Sequence, residues 1–332
     1  MDILMSDGSV ELFFSLYRVQ LALAVISLFI NVMICIYAFS GDAFSPHTAM
    51  FRTLVLIDVF SGLGYILDAF AALLHQEPML KEQVGTEAAF HEFITVSDCS
   101  IYRPYLFLLL ISRQWSSVII LIMGFERFLF VTYPLWFKSI RVRRGPIIVF
   151  TLMFATMSAS VGYINSLFVA PEEMAHFSCE LTWAFGDNYG FFQSFFITVP
   201  QVLGFLFNTY ASWFVSRDTA LLKFGNNRTK LNGERRKIRK AKCILTTTVI
   251  CGCFPQVGLI VLRFVSRWQF ETIKLLVSQL FLVKCVGNIF MYRIMARKGR
   301  GIIYAAKLWM KKRSKRRVDP NESVTSISYV VG

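Results

Sequence analysis

The side chains best placed to do chemistry in this chain are ionisable groups set within long apolar runs. Asp58, Asp68, Arg113 and Lys284 stand inside such runs, and Glu126-Arg127 closes another. A charge in that position is costly without a partner, so each is a functional candidate by default. The available chemistry is ion binding, pairing across helices, or recognition of a charged ligand. Arg113 and Asp68 are expected at similar depth, and two readings stay open. They form a structural ion pair, or Arg113 meets an acidic group on a ligand. Tyr65, Tyr105, Gln114, Gln193 and Gln279 are candidates to line the same mostly apolar cavity, with ordinary packing the plainer reading of each. Arg113 stands about 21 Å from Arg127 along one helix, at roughly 1.5 Å per residue, and on nearly the same face. His47, His75, His91 and His176 have no metal-ligand spacing, and none sits beside a nucleophile. Neither an enzyme nor a metal centre is expected.

The elements that must position these groups are membrane spans. Hydrophobic residues make up 55% of the chain and charged residues 17%, which excludes an ordinary soluble core. Seven stretches approach the roughly 20 residues a bilayer demands: near 16–39, 50–74, 103–130, 146–169, 190–215, 242–265 and 270–295. They are continuous apolar runs, so helices are the spanning form. Lys274 and Lys284 interrupt the seventh. The expected fold is an all-α membrane protein, a seven-transmembrane helix bundle with a short amphipathic C-terminal helix at 301–310. Residues 1–312 form the bundle domain and 313–332 a cytoplasmic tail.

The net charge of +14 would suggest a nucleic-acid partner in a soluble protein. Here the basic residues gather in particular loops, so they read as a topology signal and no nucleic acid is expected. Lys138 to Arg144, the run Arg235 to Lys240 and the tail run Lys311 to Arg317 belong inside. The loops with Glu77, Glu82, Glu87, Glu92 and Asp98, and with Glu172, Glu173, Glu180 and Asp187, belong outside. The N-terminus is therefore outside and the C-terminus inside, as an odd number of spans requires. The first residues are acidic where a cleaved leader would be basic, so the first span is expected to direct insertion. On this topology Cys99 and Cys179 are the two cysteines on the outer side, and an oxidising compartment favours their pairing.

With these residues in place, the chain resembles the rhodopsin-like G-protein-coupled receptors over roughly residues 16 to 312. Glu126-Arg127-Phe128 looks like the family's Asp/Glu-Arg-Tyr motif, and Val131 and Pro134-Leu135 continue it in register. Leu54 to Asp58 is similar to the Leu-x-x-x-Asp motif, and Asn31 is placed like the first-span asparagine. Asn288-Ile289-Phe290-Met291-Tyr292 is similar to Asn-Pro-x-x-Tyr without its proline. Pro200 and Pro255 look like the kink prolines of spans five and six. There are departures: span four has no Trp, Cys253 stands where an aromatic is usual, and Cys99 lies further from Arg127 than is usual. This pattern, with the long acidic first outer loop and the 33 phenylalanines, resembles the nematode serpentine chemoreceptors.

The resemblance implies a plasma-membrane receptor that takes an external small molecule or peptide and activates a heterotrimeric G protein. It implies that Glu126 and Arg127 form the inner switch, with Pro134, Asn288 and Tyr292 beside it. The family's acidic partner for Arg127 on span six falls at Arg235, with Glu234 one residue before; either Glu234 substitutes or the lock is absent. The plainer reading of Arg127 is that it snorkels to lipid phosphates. Asp58 is placed by the resemblance to face Ser116 and Asn288, a pocket that holds sodium in many family members. Lys284 lies one turn before Asn288 on the same face, and its ammonium either replaces that ion or points to the ligand cavity or to another carboxylate. An opsin's retinal lysine would fall at Leu282, so no cofactor is expected. The amphipathic stretch Gly301 to Met310 and the basic run after it suit membrane lipids at the inner leaflet. A transporter or channel is the rival class, but the chain shows no internal repeat.

Overall fold

The computed structural model describes residues 7–39, 49–78, 93–133, 137, 144–176, 179, 181, 184–216, 246, 250, 258 and 267–295. Within them α1 spans Asp7–Phe39, α2 Ala49–Ala71, α3 Val96–Tyr102 and α4 Tyr105–Thr132. Then follow α5 at Arg144–Ile164, α6 at Asp187–Ser216 and α7 at Arg267–Met295. α2 and α5 each run on into a π-helical turn, Ala72–Gln76 and Asn165–Val169. Five described stretches are long and apolar enough to cross a membrane: Glu11–Ile36, Ala49–Leu74, Tyr105–Thr132, Gly145–Val169 and Asp187–Phe214. The apolar part of α7, Leu275–Phe290, is shorter. The expected sixth span at 242–265, the amphipathic stretch at 301–310 and the tail at 313–332 lie outside the described residues.

These are helices because the apolar runs leave the backbone no other way to satisfy its own hydrogen bonds in lipid. Their faces are reversed relative to a soluble bundle. On α1 a buried stripe runs through Phe13, Tyr17, Gln20, Ala24, Ser27, Asn31 and Ile34 at alternating three- and four-residue spacing, with Phe14 buried beside it. The opposite face presents Val19, Val25, Ile26 and Phe29, about half or more exposed. Polar groups thus turn inward and large apolar ones outward, the arrangement suited to lipid and unsuited to water.

α4 is the central element and packs against α2, α5 and α6, while α1 packs against α2 and α7. The tightest approach joins α4 to α6. A Cβ added at Gly124 would lie 2.2 Å from the carbonyl oxygen of Gly204, so the two backbones meet with no side chain between them. Trp115 fixes α4 to α5 by donating its ring N–H to Thr151 Oγ1 at 3.0 Å.

A strap crosses one end of the bundle. β1 (Phe93–Thr95) pairs antiparallel with β2 (Met174–His176), Ile94 standing opposite Ala175. The Thr95 side chain caps α3 by accepting from the Asp98 N–H at 3.2 Å. Cys99 on α3 is joined to Cys179 by a disulfide, with a Cα separation of 5.4 Å. Ser100 then donates to Ser166 at 2.7 Å and reaches the Ala184 carbonyl at 3.1 Å. Both cysteines are fully buried in the cluster that includes Tyr65, Leu106, Leu109 and Phe185, so the strap is part of the core at this end.

Candidate functional site

Halfway along the bundle, Asp58 of α2 is 1% exposed and Lys284 of α7 is 8% exposed. The Lys284 ammonium lies 3.1 Å from each oxygen of the Asp58 carboxylate. Asn288, one turn further along the same face of α7, donates to Asp58 Oδ2 at 2.6 Å and to Asn31 Oδ1 at 2.8 Å. Asn31 in turn donates to the carbonyls of Ser27 at 2.8 Å and Cys285 at 3.1 Å. Three helices are therefore clasped by one polar chain in which carboxylate, ammonium and amides satisfy one another. A buried charge pair survives only with such additional hydrogen bonds. Ser116 is buried in α4, but no hydrogen bond joins it to Asp58.

Towards the disulfide end, α2 carries a second buried acid. Asp68 accepts from Gln20 Nε2 at 3.0 Å and from the Tyr105 hydroxyl at 3.5 Å. The Ser278 hydroxyl of α7 stands 3.0 Å from Gln20 Oε1, which extends this network to α7. Arg113 of α4 donates through Nε to the Tyr65 hydroxyl at 3.1 Å and through Nη2 to the same oxygen. Asp68 and Arg113 line one cavity, yet no direct ion pair joins them. The apolar walls include Phe13 of α1, Leu109 of α4 and Leu275 of α7, and Leu181 of the strap lies over them. The free volume is about 20 Å³, room for a single water.

Of the expected ligand-lining residues, Tyr65, Asp68 and Arg113 meet in this cavity, and Tyr105 reaches it through Asp68. The others lie elsewhere. Gln114 donates to the Tyr189 hydroxyl of α6 at 3.1 Å, and Tyr189 donates to the Ser158 carbonyl of α5 at 2.7 Å. Gln193 is buried in α6 one turn beyond Tyr189, and its carbonyl oxygen has no hydrogen-bond partner among the described residues. Gln279 donates to the Leu16 carbonyl at 2.9 Å and so ties α7 to α1. Gln20 and Ser278 were missed as cavity groups. An amide inside an apolar run is the signal that marks Gln20; Ser278 carries none beyond its place beside Gln279.

At the far end of α4, Glu126 and Arg127 are half-buried in its last turns. Phe128 packs against Phe207 at 5.2 Å and Tyr210 at 5.5 Å, which joins this end to α6. Pro134, Glu234 and Arg235 lie outside the described residues, and of Tyr292 only its place in α7 is described. Among the described residues no three His, Cys, Asp or Glu side chains are grouped to hold a metal ion. No protein-family model matches this chain, and no curated protein matches it significantly.

Proposed function

We propose that this chain is a seven-helix plasma-membrane receptor of chemosensory type. An external small molecule enters the cavity beneath the disulfide strap, and the opposite face activates a heterotrimeric G protein. The observation that carries this reading is the continuity of α4. One unbroken helix, Tyr105–Thr132, holds Arg113 in the cavity and Arg127 at its far end. Movement imposed on Arg113 therefore reaches Arg127 through a rigid element, and through the Gly124–Gly204 contact it is shared with α6. A ligand that prefers one helix arrangement shifts the population at both ends together. The clasp of Asp58, Lys284, Asn288 and Asn31 links α1, α2 and α7.

The test is a ligand screen in cells that express the chain, with calcium and cyclic nucleotide as readouts. A ligand response that disappears in Arg127→Ala at unchanged surface expression is the expected result. Membrane current in cells lacking G proteins would overturn it in favour of a channel. Arg113→Ala is expected to shift the agonist dose-response much more than surface expression.

A further inference from the structure

Among its lining residues the disulfide-end cavity carries one acid, Asp68, and one base, Arg113, that form no direct ion pair, while a second base, Arg103, acts electrostatically on Asp68 from outside the lining. The two lining groups are instead held by neutral ones, Asp68 by Gln20 and Arg113 by Tyr65. The placement leaves both with capacity. The Tyr65 hydroxyl takes Nε and Nη2 of the guanidinium, while Nη1 has no hydrogen-bond partner among the described residues. On Asp68, Oδ2 takes the Gln20 amide, but the Tyr105 contact to Oδ1 is 3.5 Å and weak.

We infer that this cavity binds a small zwitterion of the α-amino-acid class, its carboxylate on Arg113 and its ammonium on Asp68. The inference rests on the reading of this cavity as the receptor's ligand site. Tyr65 and Asp68 are one turn apart on α2, with side chains about 5–6 Å from each other. Arg113, bonded to Tyr65, is thus brought within one turn of the carboxylate. A guest whose ammonium and carboxylate are carried on one carbon bridges that gap. A guest with a single charge bonds to one wall and leaves the other group without a direct ionic partner in a low-dielectric site. A zwitterion satisfies both and adds no net charge. Leu109 and Leu275 offer a surface for a short apolar side chain. The present free volume fits only water, so a guest must displace a wall. Leu181 on the strap and Phe13, the lining residue nearest the start of α1, are the walls set for that movement.

The test uses the full chain in lipid nanodiscs and thermal unfolding as the binding readout. L-alanine and L-leucine are titrated, each beside its methyl ester and its N-acetyl derivative. The intact amino acid is expected to stabilise the protein at concentrations at least about tenfold lower than either derivative. In Asp68→Asn the amino acid should fall to the level of the N-acetyl form, and in Arg113→Gln to that of the ester. Equal responses to all three forms by the unmodified protein overturn the inference, as does a cooperative transition that no amino acid moves. Selective binding without any Arg127-dependent signal in cells would instead remove the receptor reading and keep the site. A signal evoked only by uncharged ligands would remove the zwitterion and keep the receptor.

Discussion

The same helix, α2, meets two bases in opposite ways. Asp58 is gripped by Lys284 through both oxygens at 3.1 Å, with Asn288 completing the shell. Asp68 shares a cavity with Arg113 but bonds to an amide and a hydroxyl instead. The first arrangement is closed, since each charge has its partner and nothing further is needed. The second is open, since its two charged groups share a cavity without bonding to each other. Charge inside a bundle does not by itself mark a binding site. What separates the two regions is whether the partner is already supplied by the chain.

The largest effect should come from opening the closed region. Lys284→Met leaves the Asp58 carboxylate uncompensated and should cost about 3–5 kcal/mol, read as loss of surface expression and of thermal stability. Adding Asp58→Asn should restore most of it. With the ammonium in place, exchanging sodium for potassium at constant ionic strength should leave ligand affinity unchanged; clear modulation by sodium would show that the clasp admits an ion. Next comes the strap over the open region. Cys99→Ser removes the bridge to Cys179 and should cost about 2–4 kcal/mol, with weaker ligand response and no new sodium sensitivity. Smallest is Asp68→Asn, which keeps a hydrogen bond with Gln20 and should change stability by less than about 1 kcal/mol. A loss as large as that of Lys284→Met would erase the contrast, because Asp68 would then be a structural partner too.

The long helices were legible because lipid imposes length and continuity. The expected spans at 50–74, 103–130 and 190–215 meet α2 with its π turn, α4 and α6 within a few residues. α1 begins at Asp7 rather than near residue 16, because Phe13, Phe14 and Tyr17 pack against Ala69, Ala72 and Leu275. Hydropathy counts the bilayer's thickness but cannot see that packing. The clasp was legible in part, since the one-turn spacing of Lys284 and Asn288 puts both on one face. Its extension to Asn31 required the α1–α7 contact. In the cavity, depth was legible and direction was not. Asp68 and Arg113 lie at matching depth, but the choice of Gln20 and Tyr65 as their partners depends on helix rotation, which no apolar run encodes. The same ignorance of rotation placed Gln279 in the cavity, where the neighbouring Ser278 stands instead.

The two π-helical turns, Ala72–Gln76 and Asn165–Val169, sit at the same end of the bundle, each just past a long helix and before the strap's strands. Such a turn stores one surplus residue locally. A loop beyond it can gain or lose a residue, and the turn absorbs the change as slack. The faces below stay in step, so Tyr65 keeps its aim whatever the mouth above it becomes. A one-residue change in a loop at this rim therefore has two turns that can take it up before it reaches the phase of the helices in the bundle beneath.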